Sequence, residues 1–256
     1  MTIPRQDDLR VFGVSGLPEI APGDDLAALI LTALGRQHEH LAPRDVVVVT
    51  QKIVSKSEGQ VVDLAAVTPS PFAQHYAAAH DKDPRQIEVV LREAARIVRM
   101  DRGVLICQTR HGLICANAGV DRSNVPGEAT VTLLPRDPDA SARRLRAAWA
   151  AAGVEVAVII SDTFGRPWRR GQTNIAIGAA GIAPLHDYHG QTDAQGRPLR
   201  ATSLAIIDEL AATAELVMGK VAQVPVAVIR GYDYPRAEET PGAAALVREA
   251  EQDLFR

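Results

Sequence analysis

The sequence has few aromatic residues, few cysteines and no long hydrophobic run, and these absences exclude several classes of protein. No apolar stretch approaches the roughly 20 residues of a membrane-spanning helix, and the first residues contain no apolar core of signal-peptide length. The two cysteines, Cys107 and Cys115, are too few for a disulfide scaffold or a zinc site. A net charge of −3 over 256 residues gives no reason to expect a nucleic acid or a membrane as a partner. We therefore expect a cytoplasmic protein with reduced thiols.

Several common catalytic motifs are absent as well. The chain has no G-x-x-x-x-G-K-[ST] phosphate loop, no G-x-G-x-x-G dinucleotide motif and no G-x-S-x-G nucleophile turn. Its seven histidines show no H-E-x-x-H or similar metal-binding spacing. We therefore expect neither a P-loop fold nor a Rossmann fold.

Strand and helix patterns are both present, but they do not alternate strictly. Aromatics make up only 4% of the chain and alanine is abundant, which fits helices packed on a sheet. We expect an α+β fold with mixed sheets, packed helices and a single domain over 1–256, divided into two lobes of roughly 1–80 with 200–256, and 81–199. The pattern predicts strands at 9–14, 45–50, 104–109, 112–115, 131–134, 154–160 and 225–231, and a loop at 51–59. It predicts one helix that begins at 24–25, one that extends from 83 as far as 98, and two that span 137–153 and 203–218. A last helix is predicted after 232.

The stretch from Val154 to Gln172 carries the strongest chemical signal. It opens as an apolar, β-branched run that predicts a buried strand, and it then breaks into Ser-Asp-Thr at 161–163. A carboxylate and a hydroxyl at the carboxyl end of a buried strand lie where α/β sheets usually hold ligands, and the arginines downstream suit a polyanion. This pattern indicates a metal-assisted nucleotide or phosphate site. An ordinary exit from a strand, with the aspartate capping a turn, fits the pattern equally well.

Two other segments have polar residues after predicted strands. Lys52 and Lys56 follow the buried strand at 45–50 and could hold phosphates, although a solvated loop is the favoured interpretation of the pattern alone. Asp121 provides a second carboxylate, in a loop rich in glycine and asparagine. Hard oxygen ligands suit Mg²⁺ or Mn²⁺, and Mg²⁺ commonly binds through one or two carboxylates plus substrate phosphates. The residues alone therefore predict a divalent-metal site for a nucleoside phosphate and do not identify the reaction.

Longer motifs resemble those of the coenzyme F420-0:L-glutamate ligase family. The resemblance is carried by Cys-Ala-Asn-Ala-Gly-Val-Asp-Arg-Ser-Asn at 115–124 and by Ser-Asp-Thr-Phe-Gly-Arg-Pro-Trp-Arg at 161–169 followed by Gly-Gln-Thr at 171–173. Shorter matches occur at 16–18, 22–26, 49–59, 133–135, 137–142, 208–211 and 218–220. The matches fall in order along nearly the whole chain.

The resemblance implies a GTP-dependent amide ligase. Such an enzyme would add L-glutamate through γ-linkages to F420-0 or a related deazaflavin, through an acyl-phosphate intermediate. The implied partners are these small molecules and a second copy in a homodimer. The implied cofactors are Mg²⁺ or Mn²⁺, as one ion or two, with K⁺ as a further candidate. Some relatives continue into a nitroreductase-like domain, and we expect none in this chain.

The resemblance also assigns roles to residues. Asp121 and Asp162 match metal-binding and catalytic aspartates, Thr163 matches a contact to a second metal, and Met218 matches a position that offers a metal its backbone carbonyl. The lysines at 52 and 56 would then face phosphates. Residues expected to contact GTP are Ser15, Gly16, Leu17, Pro18, Gln51, Lys52, Lys56, Asn124, Leu216, Val217, Met218, Gly219 and Lys220.

Charge and position alone give Arg166 and Arg169 as contacts to phosphate or to the acceptor tail. Two other functions use the same aspartates and stay open at this point. One is a metal-dependent nucleotide phosphohydrolase, which would hydrolyse GTP at full rate without an acceptor. The other is a nucleotide-binding regulator without turnover.

Overall fold

The computed structural model describes residues 8–122, 129–237 and 242–253. The α-helices are α1 (Leu26–Arg36), α2 (Gln51–Ser57), α3 (Pro71–His80), α4 (Pro84–Glu93), α5 (Pro138–Ala151) and α6 (Ile206–Met218). The strands are β1 (Arg10–Val14), β2 (Val46–Thr50), β3 (Val61–Asp63), β4 (Ala94–Asp101), β5 (Val104–Thr109), β6 (Ile114–Ala116), β7 (Thr130–Thr132), β8 (Ala157–Gly165), β9 (Gln172–Ala180), β10 (His186–Asp187), β11 (Ser203–Leu204) and β12 (Val226–Arg230). Short 3-10 helices cover Leu64–Ala66, Asn117–Gly119, Gly242–Leu246 and Ala250–Gln252.

A five-stranded sheet with the order β1-β12-β2-β8-β9 forms the centre of the fold. β2 and β8 run parallel, whereas the pairs β1–β12, β12–β2 and β8–β9 are antiparallel. Because side chains alternate across a strand, the two faces of the sheet contribute to two separate apolar layers. Val47 and Val49 of β2 belong to one layer, and Val46 and Val48 belong to the other.

Helices cover both faces of this sheet. α1 and α5 share one layer, in which the buried Trp149 donates its indole N–H to the carbonyl oxygen of Ala27 at 3.2 Å. α6 covers the other face, with Ile207 fully buried. The start of α5 approaches β9 so closely that a Cβ on Gly178 would lie 2.4 Å from the carbonyl of Pro138. This position therefore needs glycine for helix and sheet to meet.

A third, smaller apolar cluster is built from residues between Leu64 and Val131. α3 and α4 contribute to this cluster, together with the three-stranded sheet β4-β5-β6, and β3 pairs with β7. We call the segment from β3 to β7 the smaller lobe. The predicted lobe boundary is displaced, because β8 and β9, within the predicted 81–199 lobe, belong to the five-stranded sheet.

The predicted α+β class is confirmed, and the sheets are mixed as expected. Two predictions around short helices are wrong. The segment 51–59, predicted as a loop, contains α2. The helix that begins at Asp83 ends at Glu93 instead of continuing to Val98, because 94–101 pair with β5 as strand β4. Strand pairing outweighs the helical spacing of the apolar residues there.

Three further boundaries differ from the prediction. β8 continues beyond Ile160 to Gly165, so that the polar residues at 161–163 lie inside the strand. α6 begins at Ile206, after the short strand β11 rather than at Ser203. The described part of the chain's end forms 3-10 helices instead of an α-helix. Among the described residues, no helix combines the length and apolarity needed to span a bilayer.

Candidate active site

A cleft of about 1330 Å³ opens where the carboxyl ends of β2 and β8 meet the smaller lobe. Thr50 and Ser161, the last paired residues of these two parallel strands, line it from the sheet. Gly119, Val120 and Asp121 line it from the smaller lobe. The carboxyl ends of strands are where open α/β sheets commonly bind ligands. Its position at these strand ends therefore makes the cleft the candidate site.

Asp162 and Thr163 line the cleft from a two-stranded ribbon. β2 pairs with β8 only as far as Ser161, whereas β8 and β9 stay paired to the ends at Gly165 and Gln172. The register of that pair shifts by one residue between Ile160 and Ser161, which marks a β-bulge. Bulges bend a strand and redirect its side chains, and they occur often next to active sites.

A tight turn in the smaller lobe positions Asp121. Asn117, Ala118 and Gly119 have φ values of 52°, 51° and 74°, a backbone conformation that is uncommon for the first two residue types in succession. The backbone N–H of Asp121 then donates to the carbonyl of Thr132 at 3.0 Å, and the N–H of Thr132 donates back at 2.8 Å. The backbone of Asp121 is thus held against β7 while its side chain borders the cleft.

The charges around Asp162 favour the binding of a cation. Burial raises the pKa of Asp162 to about 6, and the Asp121 carboxylate contributes to that rise. The backbone N–H of Thr163, which donates to Asp162 Oδ1 at 2.8 Å, lowers this pKa, as do the charges of Lys52 and Lys220. Since the pKa stays raised, these groups compensate only part of the cost of a buried carboxylate.

α2 brings two lysines to the wall of the cleft. Lys52 Nζ lies 2.7 Å from Asp121 Oδ2. Lys56 is only 6% exposed and forms an ion pair with Glu19. Lysine is almost never this buried unless it is paired. Both ammonium groups are therefore held by carboxylates at a surface where an incoming phosphate could also bind them.

A hydrogen-bonded chain of polar side chains joins the ribbon to α6. Thr163 Oγ1 donates to Asn174 Oδ1 at 2.6 Å, and Asn174 Nδ2 donates to Glu215 Oε2 at 2.9 Å. Lys220 closes the chain, since its ammonium group contacts both Thr163 Oγ1 and Glu215 Oε1, the latter at 3.2 Å. The Thr163 hydroxyl is thus fixed from two directions.

Ser161 adds a buried polar group without a hydrogen-bond partner. Its side chain is 1% exposed, and its Oγ makes no hydrogen bond within the described parts of the chain. Buried polar atoms are nearly always paired, so an exception needs an explanation. Ser161 lines the cleft, and a bound ligand would supply the missing partner.

The donor set fits a metal ion that a substrate helps to coordinate. Asp121 and Asp162 supply carboxylates and Thr163 supplies a hydroxyl, which are the hard oxygen ligands that Mg²⁺ and Mn²⁺ prefer. Within the described ranges, no three His, Cys, Asp or Glu side chains come together as a metal cage. Mg²⁺ is usually held by one or two carboxylates plus phosphates and water, so this set suits it.

Comparisons with known proteins identify the family. A family model described as F420-0:Gamma-glutamyl ligase matches residues 16–231. The chain is 44% identical over 250 residues to the coenzyme F420:L-glutamate ligase of Methanothermobacter thermautotrophicus, with 97% of this chain and 99% of that protein covered. The chain belongs to the F420-0:gamma-glutamyl ligase family. Proteins of the same name from Methanopyrus kandleri and Halobacterium salinarum are 44% and 41% identical, over 97% of this chain and 98% and 96% of theirs.

The structure of this family member brings most of the predicted site residues together. Asp121, Asp162 and Thr163 lie in one cleft, although the two aspartates are far apart in sequence and come from different lobes. The predicted GTP contacts that line the same cleft are Leu17, Pro18, Gln51, Lys52, Lys56, Gly219 and Lys220.

Other predicted contacts lie outside the cleft lining. The backbone N–H of Ser15 donates to Gln37 Oε1 at 2.7 Å, and Gly16 has a positive φ of 75°. Leu216 is 85% exposed on α6, whereas Met218 is 1% exposed with its side chain in the apolar layer. Any metal contact from Met218 would therefore involve its backbone. Val217 packs against that apolar layer, Arg166 and Arg169 are exposed on the loop that joins β8 to β9, and Asn124 is outside the described residues.

Sequence reasoning missed Ser161, Asn174 and Glu215 as members of the site. Asn174 had a usable signal, because it is a polar residue that begins an otherwise apolar strand run. Ser161 stood next to the predicted metal ligand. Glu215 had no comparable signal, since a glutamate on a helix is usually solvated and only the packing of α6 beside β9 brings it to Asn174.

Proposed function

We propose that this chain joins L-glutamate through γ-linkages to F420-0, using GTP to activate the acceptor carboxylate in F420 biosynthesis. The observation that supports this most is the cleft itself, in which Asp121 and Asp162 face two lysines of α2. Family membership, shown over nearly the whole chain, supports the choice of the acceptor and the amino acid. The GTP dependence and the intermediate are our proposal.

The proposed reaction has two steps. An oxygen of the acceptor carboxylate attacks the γ-phosphorus of GTP, and the bond to the β-phosphate oxygen breaks to give GDP and an acyl phosphate. The amine of glutamate then attacks the acyl carbon, loses a proton, and expels inorganic phosphate as the amide forms. The first step is needed because a carboxylate becomes a good electrophile only when one of its oxygens can leave.

The residues of the cleft have matching roles. Asp121, Asp162 and Thr163 would hold Mg²⁺ or Mn²⁺, and a bound ion would neutralise charge on the phosphoryl oxygens. Lys52 and Lys56 would contact the phosphates of GTP. Their present partners, Asp121 and Glu19, keep both ammonium groups at the cleft wall before the nucleotide binds.

We also propose that the site binds a second metal ion near Thr163 and a K⁺ ion. We propose further that the protein is a homodimer and is located in the cytoplasm. The three-stranded sheet of the smaller lobe leaves Val98, Met100 and Ile114 between 41% and 51% exposed. Such apolar exposure is compatible with a subunit contact.

Mass spectrometry of the protein incubated with F420-0, L-glutamate, GTP and Mn²⁺ or Mg²⁺ tests this function. We expect mass increments of whole glutamyl units, with one GDP formed for each. GDP without glutamyl addition would instead support a phosphohydrolase and contradict the proposal. No GDP and no addition would support a binding protein.

The aspartate pair gives a sharper form of the same test. Asp121→Asn removes a charge that holds the ion near the phosphates, so ligation should fall by more than about 100-fold. Asp81→Asn is the matched control, because Asp81 lies at the end of α3, outside the cleft lining, and has φ of 52°, which asparagine also tolerates. Near-normal ligation by Asp121→Asn would exclude the proposed site.

A further inference from the structure

The loop at 166–171 has an unusual combination of side chains. It contains three arginines and no acidic residue, and Trp168 at its centre is 78% exposed. The other tryptophan, Trp149, is 1% exposed, and tryptophan is highly buried on average. A largely exposed indole in a loop with three arginines suits a ligand that is both planar and anionic.

The backbone of this loop is held in a strained conformation. Trp168 has φ of 59°, and the N–H of Arg169 donates to the carbonyl of Pro167 at 2.9 Å, which makes a γ-turn with a positive φ at its centre. Such turns are rare and costly, and strain of this kind concentrates at functional sites. Gly171 completes the loop with φ of 87°.

The loop lies at the mouth of the cleft. Gly165 and Gln172, which flank it on β8 and β9, both line the cleft, and Asp162 is only three residues before Gly165. The arginines and Trp168 are themselves outside the cleft lining. They are placed to contact the part of a substrate that extends out of the cleft while its reactive end lies at the aspartates.

We propose that the 166–171 loop is the acceptor subsite, in which Trp168 stacks on the planar deazaflavin ring and Arg166 and Arg169 pair with the anionic tail. This inference rests on the proposed function, because the reacting carboxylate must reach the phosphates near Asp121 and Asp162. The remaining length of the acceptor must then leave the cleft. Arginine pairs well with phosphate and carboxylate, and tryptophan stacks on planar rings.

Variants of Trp168 test the stacking. Trp168→Leu should raise the KM for F420-0 about 10-fold, the usual scale of one lost aromatic stack, and leave the KM values for GTP and glutamate unchanged. Trp168→Phe keeps a ring and should retain most of the affinity. Phe72→Leu is the matched control, since Phe72 is an aromatic residue 45% exposed on α3, away from the cleft.

Binding measurements add a readout that does not depend on turnover. The intrinsic fluorescence of F420-0 should be quenched on binding to the wild-type protein and quenched less by Trp168→Leu. Arg166→Ala and Arg169→Ala should weaken F420-0 binding and reduce its dependence on salt, whereas Arg102→Ala, at an exposed arginine of the smaller lobe, should not.

The outcomes separate this inference from the proposed function. If the wild-type protein adds no glutamate to F420-0, both fail. If it does so and Trp168→Leu keeps the wild-type KM and fluorescence quenching, the acceptor subsite is wrong and the ligase function stands. A raised KM for GTP with an unchanged KM for F420-0 would assign the loop to the nucleotide and also overturn the inference.

Discussion

Burial of the Asp162 side chain beside a second carboxylate makes its charged form unfavourable until a cation binds. The pKa of Asp162 is raised from 3.8 to about 6, with burial as the largest cause. In the metal-free protein, the stability linked to this raised pKa is fully present at pH values below the pKa of Asp162 in the unfolded chain. It is lost as the pH rises through the pKa of Asp162 in the folded protein. Near pH 7 the site is therefore strained electrostatically in the absence of a ligand.

Asp162→Asn should accordingly stabilise the metal-free protein in a pH-dependent way. Because a shift of one pKa unit corresponds to about 1.4 kcal/mol, the variant should gain up to about 3 kcal/mol over the wild type between pH 4 and pH 8. Urea unfolding of both proteins with a chelator at each pH measures the difference. If the difference in unfolding free energy between the two proteins did not change with pH, the proposed effect of burial on the pKa of Asp162 would be contradicted. Adding Mn²⁺ at pH 8 should stabilise the wild type and not the variant.

For single residues, the sequence indicates which side chains could take part in the site, but it does not show which other side chains surround them. Asp121, Asp162 and the two lysines of α2 were all selected as candidates, and the structure places them in one cleft. The pattern around Lys52 and Lys56 favoured a solvated loop because no local feature showed their partners. Glu19 and Asp121, which hold these lysines, are distant in sequence.

Among the elements, α5 has a second task besides covering the sheet. Asp139 in its first turn accepts hydrogen bonds from the N–H groups of Ala179 in β9 at 2.7 Å and of Ala243 at 2.8 Å. A third N–H, from Ala244, reaches its other oxygen at 3.3 Å. One carboxylate thus ties a helix, a strand and the 3-10 helix at 242–246 together.

Asp139→Ala should destabilise the protein by about 2–4 kcal/mol, because buried N–H groups would lose their acceptor. Asp139→Asn is the matched control: it keeps one acceptor oxygen and loses the charge at the helix start, so its cost should be smaller. Equilibrium unfolding in urea measures both. Equal losses for the two variants would show that the acceptor role of Asp139 is unimportant.

The element boundaries that sequence missed have a common physical reason. Aspartate is depleted in strands, so the polar residues at 161–163 predicted the end of β8. In the structure, pairing with β9 continues the strand through them. Similarly, Ala94 to Asp101 follow a helix but pair with β5. Pairing with the next strand of the chain decides both segments, and the periodicity of each segment by itself does not contain this pairing.

For the whole molecule, the architecture brings two lobes together around one chemical task. Composition and motifs were enough to predict the α+β class and the absence of a P-loop. The division into lobes could not be predicted in the same way, because it depends on the pairing of β2 with β8. The same pairing brings the carboxyl ends of β2 and β8 together at one edge of the sheet. The contact that shifted the lobe boundary from its predicted position therefore also creates the cleft. Asp121 from the smaller lobe and Asp162 from the sheet then line one cavity.

Oxygen transfer tests the central claim most directly. F420-0 carrying ¹⁸O in its terminal carboxylate is incubated with the protein, GTP, glutamate and Mn²⁺, and the released phosphate is analysed by mass spectrometry. If the acceptor carboxylate attacks the γ-phosphorus, the phosphate released with the first glutamate should carry one ¹⁸O. Phosphate released with later glutamates should carry none, because the γ-carboxylate that is then activated is unlabelled. Unlabelled phosphate released with the first glutamate would contradict the acyl-phosphate route proposed for this cleft.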